Sequence, residues 1–487
     1  VEQRKIMTMA DANNLLLDGA EALALAEQTG ICLDMEHLRR TRKRISSRIE
    51  QVEKYFLDST PLGMAWVTAF PDKRRNTQSN PQLVKVLKKL GVSGDKLTAK
   101  GQVSVKNEVL KEMKVEGVED LILLRKLRKA HSTYLGGLER EAVQHADGLW
   151  YLHPFFHLNT VRTYRSSSSN PNFQNIPTRD PEFKRYIRPA IIPRPGRALM
   201  EVDFKALEVG IAACYHKDPT MLEYLRTDPG AMHSDMAREL FLMAPGEAVS
   251  KQVRHAAKNG FVFPEFYGDW YRDCAQGMWA LRDTLDVNGL TLEERLAGKG
   301  IGSYEAFEKL VEKAERRMWD ERFPVYRDWK KRWWKDYLRK GYFDTLTGFR
   351  CSGEMEQNQA INYPVQGAAF HCLLKVLTWA VREMREGWPD VLLVGQIHDS
   401  ALFDLPEDQC VGWFDVLRKL VQERLPREWT WIIVPLDLEV ERSKPNSSWY
   451  EMGDLHDPLQ QTQTPEPGSH QWKLGHRGVY PSTPDGE

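Results

Sequence analysis

The stretch Met200-Glu201-Val202-Asp203-Phe204-Lys205-Ala206-Leu207-Glu208 constrains the fold more than any other. The apolar run Ala198 to Val202 follows the turn pair Pro195-Gly196 and has the composition of a short buried strand. Asp203 is expected to end it. A helical pattern follows at once, with Leu207, Ile211 and Tyr215 at i, i+4 and i+8. A strand and a helix therefore meet at a corner that carries an aspartate. Such a residue is either a helix cap or a metal ligand, and taken alone the cap is the commoner role.

A second aspartate of the same kind lies far downstream. Val391 to Ile397 and Ser400 to Leu405 both read as strands, with His398-Asp399 between them. This is a hairpin with an aspartate at its tip. Aspartate is a common turn residue and needs no other role there. If Asp203 and Asp399 instead sit at the ends of neighbouring strands, they can share two Mg²⁺ ions. Phosphoryl or nucleotidyl transfer needs that arrangement, because two metals clamp the attacking and leaving oxygens.

The chain is long enough for several domains: 487 residues, 41% hydrophobic and 28% charged. Its formal net charge of zero does not argue against a nucleic-acid partner, since local patches matter more than totals. None of the six cysteines forms a CxxC pair, so neither a zinc site nor a disulfide framework is expected, and a reducing, cytoplasmic setting is. No apolar run approaches membrane-spanning length and no signal peptide is visible. The chain opens on Val1, as a processed or truncated product would.

In order along the chain, Ala20 to Gln28 reads as helix closed by Gly30, and Asp34 as the cap of a long helix. Leu38, Ile45, Ile49, Val52 and Phe56 share one face of that helix, while Arg39, Arg40, Arg42, Lys43 and Arg44 make the other either solvated or a phosphate contact. Asn80-Pro81 opens a further helix, with Asn80 as its cap and Pro81 at the first position, Gly91 closes it, and 106–140 reads as helical. Trp150 to Phe156 reads as strand. A turn-rich segment follows, from Arg165 through four serines to Asn170-Pro171-Asn172-Phe173-Gln174-Asn175-Ile176-Pro177. It is either a flexible loop or a surface of amide and guanidinium groups for a nucleic-acid backbone or minor groove. Arg254 and Lys258, four apart on a helix, make sense as a pair if an anion such as a triphosphate sits between them; a solvated basic face is the plain alternative. Trp319, Trp329, Trp333 and Trp334 read as packing residues. Asn362 opens a helix running to about Arg385, and residues 454–487 have the composition of a disordered tail.

These residues together resemble the family A DNA polymerases, from about residue 20 to 453. Asp203 to Glu208 is similar to that family's motif A, Arg254-x3-Lys258 through Tyr267-Gly268 to motif B, and Gln396-Ile397-His398-Asp399 to motif C. Arg165 to Pro177 and Asn362-x-Pro364-Val365-Gln366-Gly367 are further signatures, and Lys129 to Tyr134 is similar to the end of the family's thumb. The resemblance implies an α+β right-hand polymerase. After a lead-in at 1–19 it would have a helical thumb at 20–150, a palm with an antiparallel sheet at 151–225 and 343–453, and helical fingers at 226–342. It implies a monomer acting on primer-template DNA and deoxynucleoside triphosphates. Asp203 and Asp399 would hold the two Mg²⁺ ions. Arg254, Lys258 and His233 would hold the triphosphate, with Lys258 able to protonate the leaving group. Glu208 would exclude a 2′-hydroxyl, and Tyr267 would lie by the templating base. Arg165, Asn172, Gln174, Asn362, Gln366 and His398 would contact primer and template.

The sequence departs from the family pattern at Ser400, where a glutamate is usual, and at Gly210, where an arginine is common. Motif B has one extra residue, with Pro264 inside the expected helix. A kink or π-bulge is expected between Asn259 and Pro264. Counting from either end of the motif makes Phe263 or Val262 the residue facing the sugar. Phe263 is chosen, because a bulge ahead of Pro264 keeps it in phase with Tyr267. A single-subunit RNA polymerase shares the palm but lacks Glu208 at this position, and an inactive DNA-binding subunit would not need Asp203, Asp399, Arg254 and Lys258 together. Because about 20 residues precede the thumb, and Asp34-Met35-Glu36 reads as a helix start, proofreading by this chain is not expected.

Overall fold

The computed structural model describes residues 7–92, 103–177 and 180–455. The expected tail from 456 onwards lies outside the described residues. The fold is α+β, built on a five-stranded antiparallel sheet. Its strand order is Gly453–Asp454, Leu438–Arg442, Ala198–Phe204, Ser400–Leu405 and Leu392–Ile397. The two stretches that opened the sequence argument are therefore neighbours, with Ser400 opposite Asp203 and Leu405 opposite Ala198.

Alternation along the central strand separates its two faces. Ala198, Met200, Val202 and Phe204 enter one core with Ala401, Phe403, Leu438 and Val440. Leu199 joins a second core with Val394 and Leu402. Glu201 and Asp203 share that second side but are only partly buried, so they line a cleft.

Two long helices back the first face. Gln357–Gly387 is 31 residues long and begins five residues before Asn362; Pro364 lies inside it, and the Pro364 carbonyl accepts a hydrogen bond from the Tyr215 hydroxyl at 3.1 Å. Met9–Thr29 begins well before the expected Ala20, because Thr8 and Asp11 form a reciprocal capping box. It runs unbroken through residue 20 and packs on Leu392–Ile397 and Gln357–Gly387. A Cβ on Gly19 would lie 2.6 Å from Leu374, so only glycine permits that close approach.

The second core belongs mostly to the helices of residues 35–141. Asp34 caps Met35–Ser59 by accepting from the His37 N–H, and Leu38, Ile45, Val52 and Phe56 are buried on its inner face. On its outer face Arg39 and Arg42 pair with Glu139, and Arg40 with Glu36, which favours a solvated face there. Ser79, not Asn80, caps Asn80–Lys89. The helical run 106–140 is broken at Gly117 (φ +96°), and Ala130–Leu135 is a π turn. Trp150 to Phe156 is two strands, Trp150–Leu152 and Phe155–His157. Pro154 separates them, because it has no N–H for a ladder.

Helices between 207 and 340 enclose the rest of the first core, which includes Trp329. Trp319 donates its indole N–H to Glu265 at 2.9 Å and Trp333 donates to the Ala360 carbonyl at 2.9 Å, as packing residues with a polar edge do. No disulfide links any of the six cysteines, all of which are buried. Among the described residues no helix is long and apolar enough to cross a membrane.

Candidate active site

Asp203 is the last residue but one of its strand, which continues to Phe204. It caps no helix. Leu207–His216 is preceded instead by Ala206 in the left-handed region (φ +50°), with no side-chain cap. The Asp203 Oδ1 accepts from the Phe204 N–H at 2.8 Å. Burial pushes its carboxyl up to about 8, and the charges of Asp399, Glu201 and Glu439 add to the shift. A buried carboxyl crowded by carboxylates is stabilised when a cation arrives, and hard oxygen donors suit Mg²⁺. Among the described residues no group of three or more His, Cys, Asp or Glu is gathered to hold a metal, so a site here would rest on the two aspartates.

Asp399 sits in the two-residue loop of the hairpin, after His398, which is exposed and left-handed (φ +53°). Non-glycine residues in that region cost on the order of 1 kcal/mol each and persist where the surroundings enforce them. The enforcement at the hairpin is visible. Gln396, fully buried, donates its amide to the His398 carbonyl at 2.6 Å. Its Oε1 accepts from Ser166 Oγ and from Gln174 Nε2, both at 2.6 Å. Gln174, expected to face nucleic acid, is buried, and its amide N–H groups are taken by Gln396 and Ser166. The turn-rich segment thus braces the hairpin from below. Sequence reading missed Ser166 and Gln396 in this role, because the link joins residues 230 apart in the chain.

A bulged helix forms the opposite wall. Lys251–Ala257 is α-helical, capped by Ser250, and passes into a π turn at Lys258–Val262 and then into Phe263–Tyr267. The bulge lies where the extra residue of the motif required one. Phe261 and Val262 are fully buried, whereas Phe263 is half-buried. The Phe263 ring lies 4.9 Å from Lys258 Nζ and makes edge contacts with His233 at 5.7 Å and Tyr267 at 6.3 Å. Lys258, His233, Phe263 and Tyr267 therefore line one surface, and Phe263 is the residue in phase with Tyr267. Burial, with the charges of Lys258 and Arg254, pulls the His233 imidazole down to about 4, and its Nδ1 has no hydrogen-bond partner. It is a neutral hydrogen-bonding group there rather than a third cation.

Glu208 joins the two walls. It stands in the first turn of the helix after Asp203, accepts from the Tyr267 hydroxyl, and pairs with Arg165 at 3.4 Å. Burial and Glu208 both hold the Tyr267 phenol well above its usual range, so it remains a donor. Asn362 donates to the Tyr267 carbonyl at 2.8 Å, and Gln366 stands one turn further along the same helix. Asn172 begins the short turn Phe173–Asn175. A Cβ at Gly210 would meet Val434 and Leu436 at 3.4 and 3.5 Å, ordinary van der Waals contact.

A family profile described as DNA polymerase family A matches residues 35–284. The thermostable DNA polymerase I of Thermus aquaticus is 27% identical over 433 residues, covering 86% of this chain and 46% of that protein. DNA polymerase I of Rhizobium leguminosarum is 28% identical over 413 residues, covering 80% of this chain and 35% of that protein. The chain spans less than half the length of the curated relatives it matches. Among solved structures, the polymerase domain of Pol1 from M. smegmatis in complex with DNA primer-template and dNTP is similar, with a TM-score of 0.70 at 21% identity. That likeness covers 89% of this chain and 70% of that one.

Proposed function

Because the chain belongs to DNA polymerase family A, we propose that it is a template-directed DNA polymerase. It would add deoxynucleotides to a primer 3′ end and release pyrophosphate. One observation carries the reading: Asp203 and Asp399 meet at adjoining strand ends, and Glu208, five residues after Asp203, accepts a hydrogen bond from Tyr267 of the basic, bulged helix. In this reading the thumb starts after Met9–Thr29, not at residue 20, because that helix is unbroken and packs on the palm. The thumb then runs to 150, 151–225 and 343–453 are the palm, 226–342 the fingers, and the chain works as a monomer.

Asp203 and Asp399 would hold two Mg²⁺ ions, which when bound would lower the pKa of the primer hydroxyl and offset charge on the leaving pyrophosphate. Every other part of the work falls to side chains. Arg254 and Lys258 would bind the triphosphate from one helix face, and Lys258 would hand its ammonium proton to the leaving oxygen. Neutral His233 would give a hydrogen bond to the same group. Glu208, fixed between Tyr267 and Arg165, would fill the space that a 2′-hydroxyl needs. Its presence favours this reading over an RNA polymerase. Arg165, Asn172, Asn362, Gln366 and His398 would contact primer and template; Gln174 would act chiefly by bracing the hairpin.

The test is extension of a labelled primer on a template with Mg²⁺, supplied with deoxynucleotides or with ribonucleotides. Extension with the first set, dependent on Asp203, is expected. No extension by the wild-type chain, or equal use of both sets, overturns the reading.

The register of the bulged helix gives a second test. Phenylalanine at 263 cannot supply the hydrogen bond that would replace the missing 3′-hydroxyl of a dideoxynucleotide. Phe263→Tyr is expected to raise dideoxynucleotide use relative to the normal substrate by about tenfold or more, the scale of one buried hydrogen bond. Phe261→Tyr, inside the core, is the control. Relaxation by the control and not by Phe263→Tyr would move the sugar contact to another turn.

A further inference from the structure

Motif C in the family carries a glutamate directly after its aspartate, and this chain has Ser400 there. The hydroxyl is buried opposite Asp203 and is not idle. Ser400 Oγ can donate to Glu201 Oε1 at 3.0 Å or to the Ile397 carbonyl at 3.0 Å. It has one proton for the two, and the charged acceptor makes the stronger bond. Glu201 lies two residues before Asp203, so strand alternation puts both on the cleft side of the sheet. Its other oxygen accepts from the indole N–H of Trp449 at 2.8 Å and lies 3.9 Å from Arg188 Nη1. Arg188 in turn stacks over Trp449, its Cζ 3.8 Å from the ring centroid. Both oxygens of Glu201 are thus held, and its side chain is only 17% exposed. A glutamate fixed in this way is held in one place beside Asp203.

We propose that Glu201, seated by Ser400 and Trp449, holds a fixed negative charge on the central strand beside the two aspartates without joining them as a ligand, and so strengthens divalent-cation binding at Asp203 and Asp399. Glu201 is a positioning residue, acting through its fixed charge; the inference rests on the two-aspartate reading above. Arg188 offsets part of that charge, so the effect is smaller than that of losing a ligand. The plainer role, a buried ion pair that pins Trp449 to the sheet, predicts a different pattern: lower stability with unchanged cation binding, and no rescue from Ser400.

The experiment measures Mn²⁺ binding to the full chain by electron paramagnetic resonance, without nucleotide. Glu201→Gln, which preserves an acceptor for Trp449, is expected to weaken Mn²⁺ binding by about tenfold, the scale of one partly screened charge near the site. Adding Ser400→Glu to that variant is expected to restore most of the loss. Ser400→Ala alone, which leaves Glu201 in place but unseats it, is expected to weaken binding by a smaller factor. Wild-type affinity in Glu201→Gln overturns the proposal, as does a double variant that binds no better than the single one. Should Glu201→Gln fail to fold, wild-type affinity in Ser400→Ala overturns it instead. Asp203→Asn separates the two readings: if it too binds Mn²⁺ like the wild type, the two-aspartate site itself is wrong.

Discussion

Asp203→Asn or Asp399→Asn is expected to slow nucleotide addition by several orders of magnitude while leaving primer-template affinity nearly intact. The asparagine keeps the shape and the hydrogen bond to the Phe204 N–H but removes the charge that a cation needs. DNA affinity comes mainly from phosphate contacts spread along the duplex, which neither change touches. Single-turnover extension and a binding titration with the same DNA check the two halves of the statement. Stability gives a third readout, with its own sign. A carboxyl whose folded pKa is raised binds more protons in the folded state than in the unfolded one, between the two values. Its contribution therefore falls as pH rises from the ordinary carboxylate range to about 8. Without metal, Asp203→Asn should melt no lower than the wild type at pH 8, and the difference should shrink towards acid pH. Mg²⁺ should raise the melting temperature of the wild type and not of the variant. A near-normal extension rate in either variant would end the assignment.

Glu208→Ala should change which sugar is accepted more than how fast the normal one is used. Its carboxylate is tied to both Tyr267 and Arg165, so it cannot swing aside to admit a hydroxyl. With alanine the space opens, and the preference for deoxynucleotides should fall by on the order of a hundredfold in the ratio of kcat/KM values, the range one steric contact controls. Deoxynucleotide use should drop less, since Tyr267 keeps its backbone tie to Asn362. An unchanged ratio would remove Glu208 from sugar selection.

Local signals made much of this legible. The central strand, the hairpin and the Asp34 cap follow from patterns within a few residues; the bulge before Pro264 needed the family resemblance, which shows the extra residue in motif B. Single-residue errors came from competing caps: Ser79 outranks Asn80 because its hydroxyl reaches the Gln82 N–H. Larger misses have longer causes. The start at Met9 was hidden because Asp11 stands where a capping box usually has Glu or Gln. Asp203 reads as a cap until tertiary structure shows Ala206 taking the corner in a left-handed conformation. Glu201 gave only the hint of alternation with Asp203; the residues that hold it lie 199 and 248 positions away. No pattern within one window can report a partner at that distance.

The strand order also has a consequence for how the chain is made. Synthesis runs from the N-terminus, and Ala198–Phe204 emerges with neither neighbour in existence. Both of its edges are filled only by Ser400–Leu405 and Leu438–Arg442. Through the production of everything between, the nascent chain carries an apolar strand with two open edges, a template for wrong partners. The helices that follow it, Leu207–His216 first, cover one face in the interval but not the edges. A ribosome stalled ahead of residue 400 would therefore hold a sticky, incomplete chain, and chaperone binding to nascent chains should peak there and fall once Leu438–Arg442 has followed the hairpin out.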